Sequence, residues 1–326
     1  MRVKMKKVVI LINSIADNAP EDELDVLNQV CFAEEILEAL GYETYREFMN
    51  MDFPALRQKI NQIQPTVIFN LVEGMDHNAR VLFLSTGFLD ALGYPYTGNT
   101  SIPMFLTNDK VLSKEIMTLA GIPTPPWFTA QAFEGFSDDR IFIAKPIWED
   151  ASVGIDDYSV FKGSEENISR YREKFGSNNF FLETYVEGRE FNISVIEYPD
   201  GPRVLHPAEM CFCNYPKEKP RIVGYTAKWD ENSFEYQNTR RSFELDEKDT
   251  QLIVKLEELA YQCWDVFHLC GYARIDFRVD NQGNPWVLDI NANPCLSPDA
   301  GLIAACRHAN ITEEELFNLI IKAAIR

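Results

Sequence analysis

Residues 271–302 read GYARIDFRVDNQGNPWVLDINANPCLSPDAGL, and their pattern predicts a β-hairpin. The Asp-Asn-Gln-Gly-Asn run in the middle is rich in turn-forming residues. Because successive side chains of a strand point to opposite faces, Arg274 and Asp276 share one face of the first strand. By the same alternation, Asp289 and Asn291 share one face of the second. The stretch therefore predicts a short sheet with charged side chains on one side.

Pairing across this hairpin predicts a cluster of oxygen ligands. If the turn is centred between residues 282 and 283, Asp276 lies opposite Asp289 and Arg274 lies opposite Asn291. Side chains paired on one face sit ~5 Å apart at Cβ. Two carboxylates and an amide oxygen are ligands that Mg²⁺ prefers. The alternative is a solvated sheet face on which Arg274 and Arg278 neutralise the acids.

The composition excludes some classes of protein. The 326 residues suffice for two or three modules, and hydrophobic residues make up 46% of them, enough for a sizeable core. With 31 basic and 50 acidic residues the net charge is −19, which argues against a nucleic-acid-binding surface. No apolar run approaches the roughly 18 residues of a membrane helix. The apolar segment Val8–Ile12 is also too short for a signal peptide and reads as a first buried strand.

The seven cysteines lack regular spacing, which is typical of a protein from a reducing compartment. Cys211 and Cys213 are the only close pair, and one intervening residue without a second pair makes a poor zinc site. We therefore interpret these cysteines as buried or incidental thiols.

The first hundred residues alternate strand and helix patterns, which predicts a parallel sheet covered on both faces. The predicted elements are strand Lys7–Ile12, helix Asp22–Leu40, strand Glu43–Glu47, helix Phe53–Ile63, strand Thr66–Asn70 and helix Ala79–Leu92. The middle of the chain reads as a small α+β module. Its predicted elements are helix Asp109–Ala120, strand Ile141–Pro146, helix Ser164–Lys174 and strand Phe180–Thr184.

The last part of the chain predicts strands and two helices around one long polar stretch. The predicted elements are strands Phe191–Glu197 and Arg203–Glu209, helix Gln251–Leu269, the hairpin, and a terminal helix capped by Thr312. The stretch Asn214–Asp249 shows little periodicity, and we interpret it as a functional loop.

Three lysines and a loop of small residues are candidates for binding phosphate. Lys145 ends an apolar strand and precedes the loop Trp148–Gly154, whose backbone N–H groups could cover phosphates. Lys110 and Lys228 are further candidate cations, although each lysine taken alone also fits a surface charge. Glu183 or Glu190 could bind a ribose or be solvated. Neither a P-loop nor a Rossmann glycine motif occurs.

Taken in order, these pieces resemble the ATP-grasp superfamily, and within it the D-alanine–D-alanine ligase family. The resemblance extends over nearly the whole chain. The matching pieces are Tyr96-Thr-Gly98, Asn108-Asp-Lys110, Ala144-Lys-Pro146 with the loop Glu149–Gly154, Leu182-Glu183 through Glu190-Phe191, Ala227-Lys228, Arg274-x-Asp276, and Leu288-Asp-x-Asn291 before Pro294.

The resemblance implies a division into three modules with ATP between the second and the third. Residues 1–103 would form the N-terminal parallel α/β substrate domain, residues 104–187 the central ATP-grasp subdomain with the phosphate lid, and residues 188–326 the C-terminal ATP-grasp subdomain with the magnesium site. Ligases of this family are often homodimers through the N-terminal module, although the sequence shows no interface.

The resemblance also implies a nucleotide site. The roles are Lys110 and Lys145 on the α- and β-phosphates, Ser152 in the lid, Glu183 with the backbone of Thr184 and Val186 at the adenine, Glu190 on the ribose, and Lys228 on the γ-phosphate. It further implies two Mg²⁺ ions, replaceable by Mn²⁺, on Asp276, Asp289 and Asn291. Arg274 would stabilise the oxyanion of the tetrahedral intermediate.

Several departures from the family fall in the substrate part. The serine that contacts the second D-alanine's carboxylate falls on Ala300, and a glycine of the oxyanion hole falls on Cys295. The N-terminal histidine–glycine motif is absent, with Asn70-Leu-Val-Glu-Gly74 in its place. The glutamate that meets the first substrate's ammonium stays open among Glu21, Asp22, Glu23 and Glu73.

The resemblance therefore implies an ATP-dependent carboxylate–amine ligase that works through an acyl phosphate. We expect small-molecule carboxylate and amine substrates other than the D-alanine pair, and neither nucleic acid nor membrane as partner. Two alternatives stay open: a genuine D-alanine–D-alanine ligase with an altered acceptor pocket, and a nucleotide-binding module without catalysis. ATP use, free thiols and the missing signal peptide predict a cytoplasmic protein.

Overall fold

Three β-sheets organise the chain in a computed structural model that describes residues 5–15, 19–75, 78–129, 132, 137–176 and 178–325, without the side chains of Asp22, Ser137 and Asp138. One sheet is parallel and two are antiparallel. The predicted combination of α/β and α+β architecture is therefore confirmed. No helix of the described residues is long and apolar enough to cross a membrane.

The N-terminal elements form the parallel sheet and its helices. They are β1 (Lys6–Asn13), α1 (Glu21–Ala39), β2 (Tyr42–Met49), α2 (Phe53–Ile63), β3 (Val67–Asn70), α3 (Phe83–Leu92), α4 (Ser101–Asn108) and α5 (Lys110–Leu119). The strand order is β2-β1-β3. Val8 and Ile10 belong to one hydrophobic core and Val9 and Leu11 to another, so both faces of β1 are buried. This is why the strand reads as a continuous apolar run.

Two predicted boundaries in this region were wrong. The pattern Ala79–Leu92 is not one helix, because a 3₁₀ turn at Ala79–Val81 precedes α3. The helix α4 was not predicted at all, because its early Pro103 resembles a loop signal, although proline is tolerated in a first helical turn. Asp109 caps the next helix by accepting hydrogen bonds from the N–H groups of Val111 and Leu112.

The central sheet is antiparallel and small. Its elements are β4 (Trp127–Phe128), β5 (Ser137–Pro146), β6 (Val160–Ser164), α6 (Glu165–Phe175) and β7 (Phe180–Thr184). The strand order is β4-β7-β5-β6. Phe142, Phe161 and Tyr171 belong to the core that joins α6 to this sheet. The predicted α+β module is thus present, and it contains the strand β6, which was not predicted.

The C-terminal sheet carries the predicted hairpin. Its elements are β8 (Gly188–Tyr198), β9 (Gly201–Val204), β10 (Ala208–Phe212), α7 (Tyr225–Trp229), α8 (Phe234–Asn238), β11 (Thr239–Ser242), α9 (Thr250–Val266), β12 (Tyr272–Asp280), β13 (Pro285–Asn291), α10 (Gly301–His308) and α11 (Glu313–Ala324). The strand order is β11-β10-β8-β12-β13, with β9 paired to β8. Thr312 caps α11 as predicted, since its side chain accepts from the N–H of Glu315.

The interpretation of residues 214–249 as one loop was wrong. This stretch contains α7, α8 and the sheet strand β11. Each of these elements is only four or five residues long, so none shows a measurable period. They exist because tertiary contacts fix them, including the pairing of β11 with β10.

The cores connect the sheets to one another. Phe317 of α11 stacks on Phe69 of β3, with ring centroids 5.0 Å apart. The C-terminal helix thereby covers the N-terminal parallel sheet. The strands of each sheet fall within one of the three predicted ranges. The boundaries at residues 103 and 187 themselves stay a prediction.

Candidate active site

The hairpin places two carboxylates opposite each other. Asp276 pairs with Asp289 and Arg274 pairs with Asn291, as predicted for a turn centred between residues 282 and 283. A β-bulge follows Asp276, so that Phe277 pairs with Val287 rather than with Leu288. The extra residue shifts the register beyond the acidic pair but leaves the pair itself intact.

Cationic side chains surround these carboxylates. Arg274 donates two hydrogen bonds to Asp276, from Nε at 2.8 Å and from Nη2 at 3.0 Å. Lys110 Nζ lies 3.6 Å from Asp289 Oδ2. Burial favours the neutral acid of Asp289, but the ammonium groups of Lys110, Lys145 and Lys114 more than offset it and lower the pKa. Asp289 is therefore an anion in its surroundings.

Lys110, Lys145 and a third lysine bind carboxylates in the same region. Lys110 Nζ donates to Asp150 at 2.8 Å, and Lys145 Nζ donates to Glu183 at 2.5 Å. The third is Lys114, which is buried and forms an ion pair with Glu183. Sequence reasoning missed Lys114. The available signal was its position four residues after Lys110, which puts both on one face of α5.

The loop Glu149–Gly154 is fixed against the polar stretch. Ser152 Oγ donates to the carbonyl oxygen of Val223 at 2.7 Å, and Trp229 Nε1 donates to that of Ala151 at 3.0 Å. Ala151 and Ser152 both have positive φ angles, 53° and 63°, which non-glycine residues rarely adopt. Such strain persists only where the surroundings enforce it and is concentrated at functional sites.

A cavity of about 640 Å³ lies under this loop. It brings together half of the predicted site residues, namely Ser152, Glu190, Lys228, Arg274, Asp276 and Asn291. Thr184 and Val186 instead line a second cavity of about 300 Å³. Lys110, Lys145, Glu183 and Asp289 do not line either cavity and form the ion pairs described above.

The residues predicted at the base and ribose are engaged within the protein. Both carboxylate oxygens of Glu183 face lysine ammonium groups. Arg278 Nη2 lies 2.9 Å from Glu190 Oε2. Burial raises the pKa of Glu190, and Arg278 only partly offsets it. The Thr184 hydroxyl is buried without a hydrogen-bond partner, while its N–H donates to the carbonyl of Pro126.

The predicted γ-phosphate ligand Lys228 has a pKa below the ordinary lysine value. Burial and the nearby Arg274 guanidinium lower its pKa, against the carboxylates of Asp276, Glu190 and Asp150. An anion beside Lys228 would raise this pKa again, because an opposite charge favours the ionised form.

The substrate part of the cavity is lined by carboxylates. Glu23 and Glu73 line it, whereas Glu21 does not, and the side chain of Asp22 lies outside the described residues. Asp25, which was not predicted from the sequence, also lines the cavity and accepts a hydrogen bond from Ser297 Oγ at 2.8 Å.

Cys295 is a partly buried neutral thiol beside these acids. Its Sγ lies 3.2 Å from Asp25 Oδ2. Burial together with Glu73 and Asp25 raises its pKa well above the usual value. All seven cysteines, each of which the structure describes, are free thiols.

The donor set suits a hard divalent cation. Asp276 and Asp289 supply carboxylate oxygens from paired positions, and Asn291 supplies an amide oxygen. No cluster of three or more His, Cys, Asp or Glu side chains with metal-binding geometry occurs among the described residues. The protein would thus provide few ligands, as for Mg²⁺, which keeps waters and substrate phosphates as the others.

Comparison with solved structures defines the class. The chain superposes with a TM-score of 0.71 on a D-alanine–D-alanine ligase from Bacillus anthracis complexed with ATP, covering 98% of each chain at 16% identity. At this identity the likeness shows the fold, which is the ATP-grasp fold.

Sequence comparison gives the family. A D-alanine–D-alanine ligase of Aquifex aeolicus (strain VF5) is 25% identical over 97% of this chain and 99% of its own length. An uncharacterized protein, y4sG, of Sinorhizobium fredii is 26% identical over 80% of this chain and 75% of its own. Residues 140–322 match the family described as "D-ala D-ala ligase C-terminus", and the chain belongs to that family. The matched segment contains every predicted site residue except Lys110.

Proposed function

We propose that this protein is an ATP-dependent carboxylate–amine ligase that forms an amide or peptide bond and releases ADP and phosphate. Family membership supports the ligase class. The observation that carries the proposal is that Arg274, Lys228 and Asp276 line one cavity beneath a loop, and that Asp289 pairs with Asp276 across the hairpin. A protein that only bound nucleotide would have no use for a partly buried arginine at this point.

The first chemical step would be phosphoryl transfer. A carboxylate oxygen of the substrate attacks the γ-phosphorus of ATP, and the bond to the β-phosphate oxygen breaks to release ADP. This reaction depends on charge neutralisation and in-line positioning. Lys228 lines the cavity and would contact the γ-phosphate, while Lys110 and Lys145 would exchange their present carboxylates for phosphate oxygens.

The metal site would be formed by oxygens of Asp276, Asp289 and Asn291. Mg²⁺ bound there supplies charge neutralisation for the triphosphate. In the structure, Lys110 and Arg274 contribute the positive charge beside these acids. The ammonium group of Lys110 lowers the pKa of Asp289, which is therefore an anion that could bind the cation.

The second step would be aminolysis of the acyl phosphate. The amine nitrogen attacks the carbonyl carbon, the bond to the phosphate oxygen breaks, and the proton of the amine passes to solvent or base. Arg274 would stabilise the oxyanion that forms on the carbonyl oxygen. The loop at Ala151 and Ser152 would exclude water, which otherwise hydrolyses the acyl phosphate.

We further propose that the substrates are amino-acid-like but are not the D-alanine pair, because Ala300 lacks the hydroxyl that contacts the acceptor in the family. A genuine D-alanine–D-alanine ligase is the second candidate. The Aquifex relative, aligned over nearly the full length of both chains, favours it. The cytoplasmic location and a homodimer stay predictions.

The test is ADP release from Mg²⁺–ATP with a panel of amino acids and small carboxylates. We expect ADP with at least one carboxylate–amine pair, and its loss in Asp289→Ala. Asp139→Ala is the control, because that carboxylate is almost fully exposed and lines neither cavity. Highest activity with D-alanine alone would select the second candidate. Nucleotide binding without ADP release from any pair would refute the ligase proposal.

A further inference from the structure

Arg241 is a cation of the main cavity that none of the roles above uses. It lies on β11, directly opposite Met210 of β10. Thr239, Arg241 and Met210 line the cavity, whereas Arg240 points to the other face of the strand, as alternation requires. The other lysines and arginines that the structure places on the cavity wall are Lys228 and Arg274. Arg241 is therefore the cation left over for a further anionic group.

The Arg241 side chain reaches the turn where the family's hydroxyl is missing. Its Nη1 donates to the main-chain oxygen of Asp299 at 3.1 Å. A Cβ built on Gly301 would lie 3.8 Å from Arg241 Nη2 and 3.8 Å from Arg274 Cδ. The two arginines thus flank the first residue of α10, immediately after Ala300.

Among the described residues, Arg241 forms no ion pair with a carboxylate side chain. Arg274 is neutralised by Asp276, to which it donates two hydrogen bonds. Arg241 keeps an exposed surface, yet partial desolvation and the positive charge of Arg274 lower its pKa, while Asp299 raises it. An anion between the two arginines would relieve this repulsion.

We propose that Arg241 binds the carboxylate of the amine substrate, so that the acceptor is an amino acid whose carboxylate sits over Gly301 rather than at the side chain of Ala300. This assignment rests on the proposed ligase function. Arginine suits the role because its planar fork matches a carboxylate with two parallel hydrogen bonds. The neighbouring Glu23, Asp25 and Glu73 would reject the same carboxylate, which directs it toward Arg241.

The test compares three small primary amines. D-alanine and β-alanine carry a carboxylate at different distances from the amine, and ethylamine has no carboxylate. Their affinities are measured by ligand-observed NMR with the full-length protein in ADP and Mg²⁺. The wild type should bind at least one alanine isomer about ten- to a hundredfold more tightly than ethylamine. Arg241→Ala should abolish this preference, and Arg241→Lys should retain part of it.

Arg240→Ala is the matched control and should keep the full preference, because it removes the same charge from the opposite face of β11. Equal binding of all three probes by the wild type, or an unchanged preference in Arg241→Ala, would overturn the assignment. So would a selective loss of ATP affinity in Arg241→Ala, since Arg241 would then bind phosphate. If the preference depends on Arg241 but no pair yields ADP, the carboxylate site stands and the ligase proposal fails.

Discussion

Ala300 stands where the resemblance to the family predicts a serine. Its backbone angles, φ −59° and ψ 154°, are those of a helix N-cap, a position that serine favours. Ala300→Ser should therefore be accommodated without strain. The added hydroxyl can bond to the acceptor's carboxylate, and such a bond to a charged group is worth roughly 1.5–3 kcal/mol. We expect kcat/KM for D-alanine as acceptor to rise about ten- to a hundredfold.

Steady-state kinetics with product identification measures this gain. Ala309→Ser is the control, because it adds a hydroxyl at the other end of α10, away from the cavity. A wild type that already prefers D-alanine over all other acceptors, with no gain in Ala300→Ser, would show that the missing hydroxyl does not determine specificity.

The lowered pKa of Lys228 predicts an alkaline limit to activity. As pH rises, a lysine with a lowered pKa loses its proton before the ordinary value of 10.5 is reached. If Lys228 must be charged to receive the γ-phosphate, kcat/KM for ATP should fall with rising pH below 10.5. Lys228→Arg stays protonated throughout this range, so its lower activity should lack the alkaline decline.

The pH profile of kcat/KM, measured at saturating amine, tests this because it reports groups of the free enzyme. An identical alkaline decline in Lys228→Arg would assign the titration to another group. Lys228 would then not be the γ-phosphate ligand on this ground.

At the scale of single elements, long periodic segments could be predicted and short ones could not. The pairs Arg274–Asn291 and Asp276–Asp289 of the hairpin β12–β13 were predictable, because side-chain alternation and the position of the turn determine which side chains face each other. The strand β11 was not, since four residues carry no period and its partner is distant in sequence. Arg241 was missed for that reason. The bulge after Asp276 was missed because it depends on backbone geometry rather than residue type.

The start of β8 contains a glycine that no other residue can replace. Gly188 has φ 154°, and an added Cβ would collide with the carbonyl oxygen of Val279 on the neighbouring strand β12. Backbone strain costs about 1–3 kcal/mol and overpacking about 1–3 kcal/mol more. Gly188→Ala should therefore lower the free energy of unfolding by about 2–6 kcal/mol.

Urea denaturation of Gly188→Ala and Gly201→Ala separates the two causes. Gly201 also has a positive φ, 128°, but no atom lies within 4 Å of its added Cβ. Gly201→Ala should show the strain alone. Equal losses in both variants would mean that the collision with Val279 is relieved by a small shift, contrary to our expectation.

At the scale of the whole molecule, the parts are joined by packing that sequence patterns do not reveal. The three sheets match the three predicted ranges, yet α11 lies across the N-terminal sheet through Phe317 and Phe69. Amphipathic periodicity shows that a helix buries one face, but not which sheet receives it. The residues predicted at the nucleotide follow from ordered motifs and stay predictions, whereas the positions of Lys114, Asp25 and Arg241 depend on how distant elements meet.

In the proposed reaction, one molecule of ATP activates a carboxylate as an acyl phosphate before an amine attacks it. The direct measurement uses ¹⁸O-labelled carboxylate with the best amine of the panel and follows the label by mass spectrometry. In the proposed mechanism, the attacking carboxylate oxygen leaves with phosphate, so each product phosphate should carry one label. Label in AMP would indicate an adenylate instead, and unlabelled phosphate would indicate simple ATP hydrolysis; either result would contradict the account.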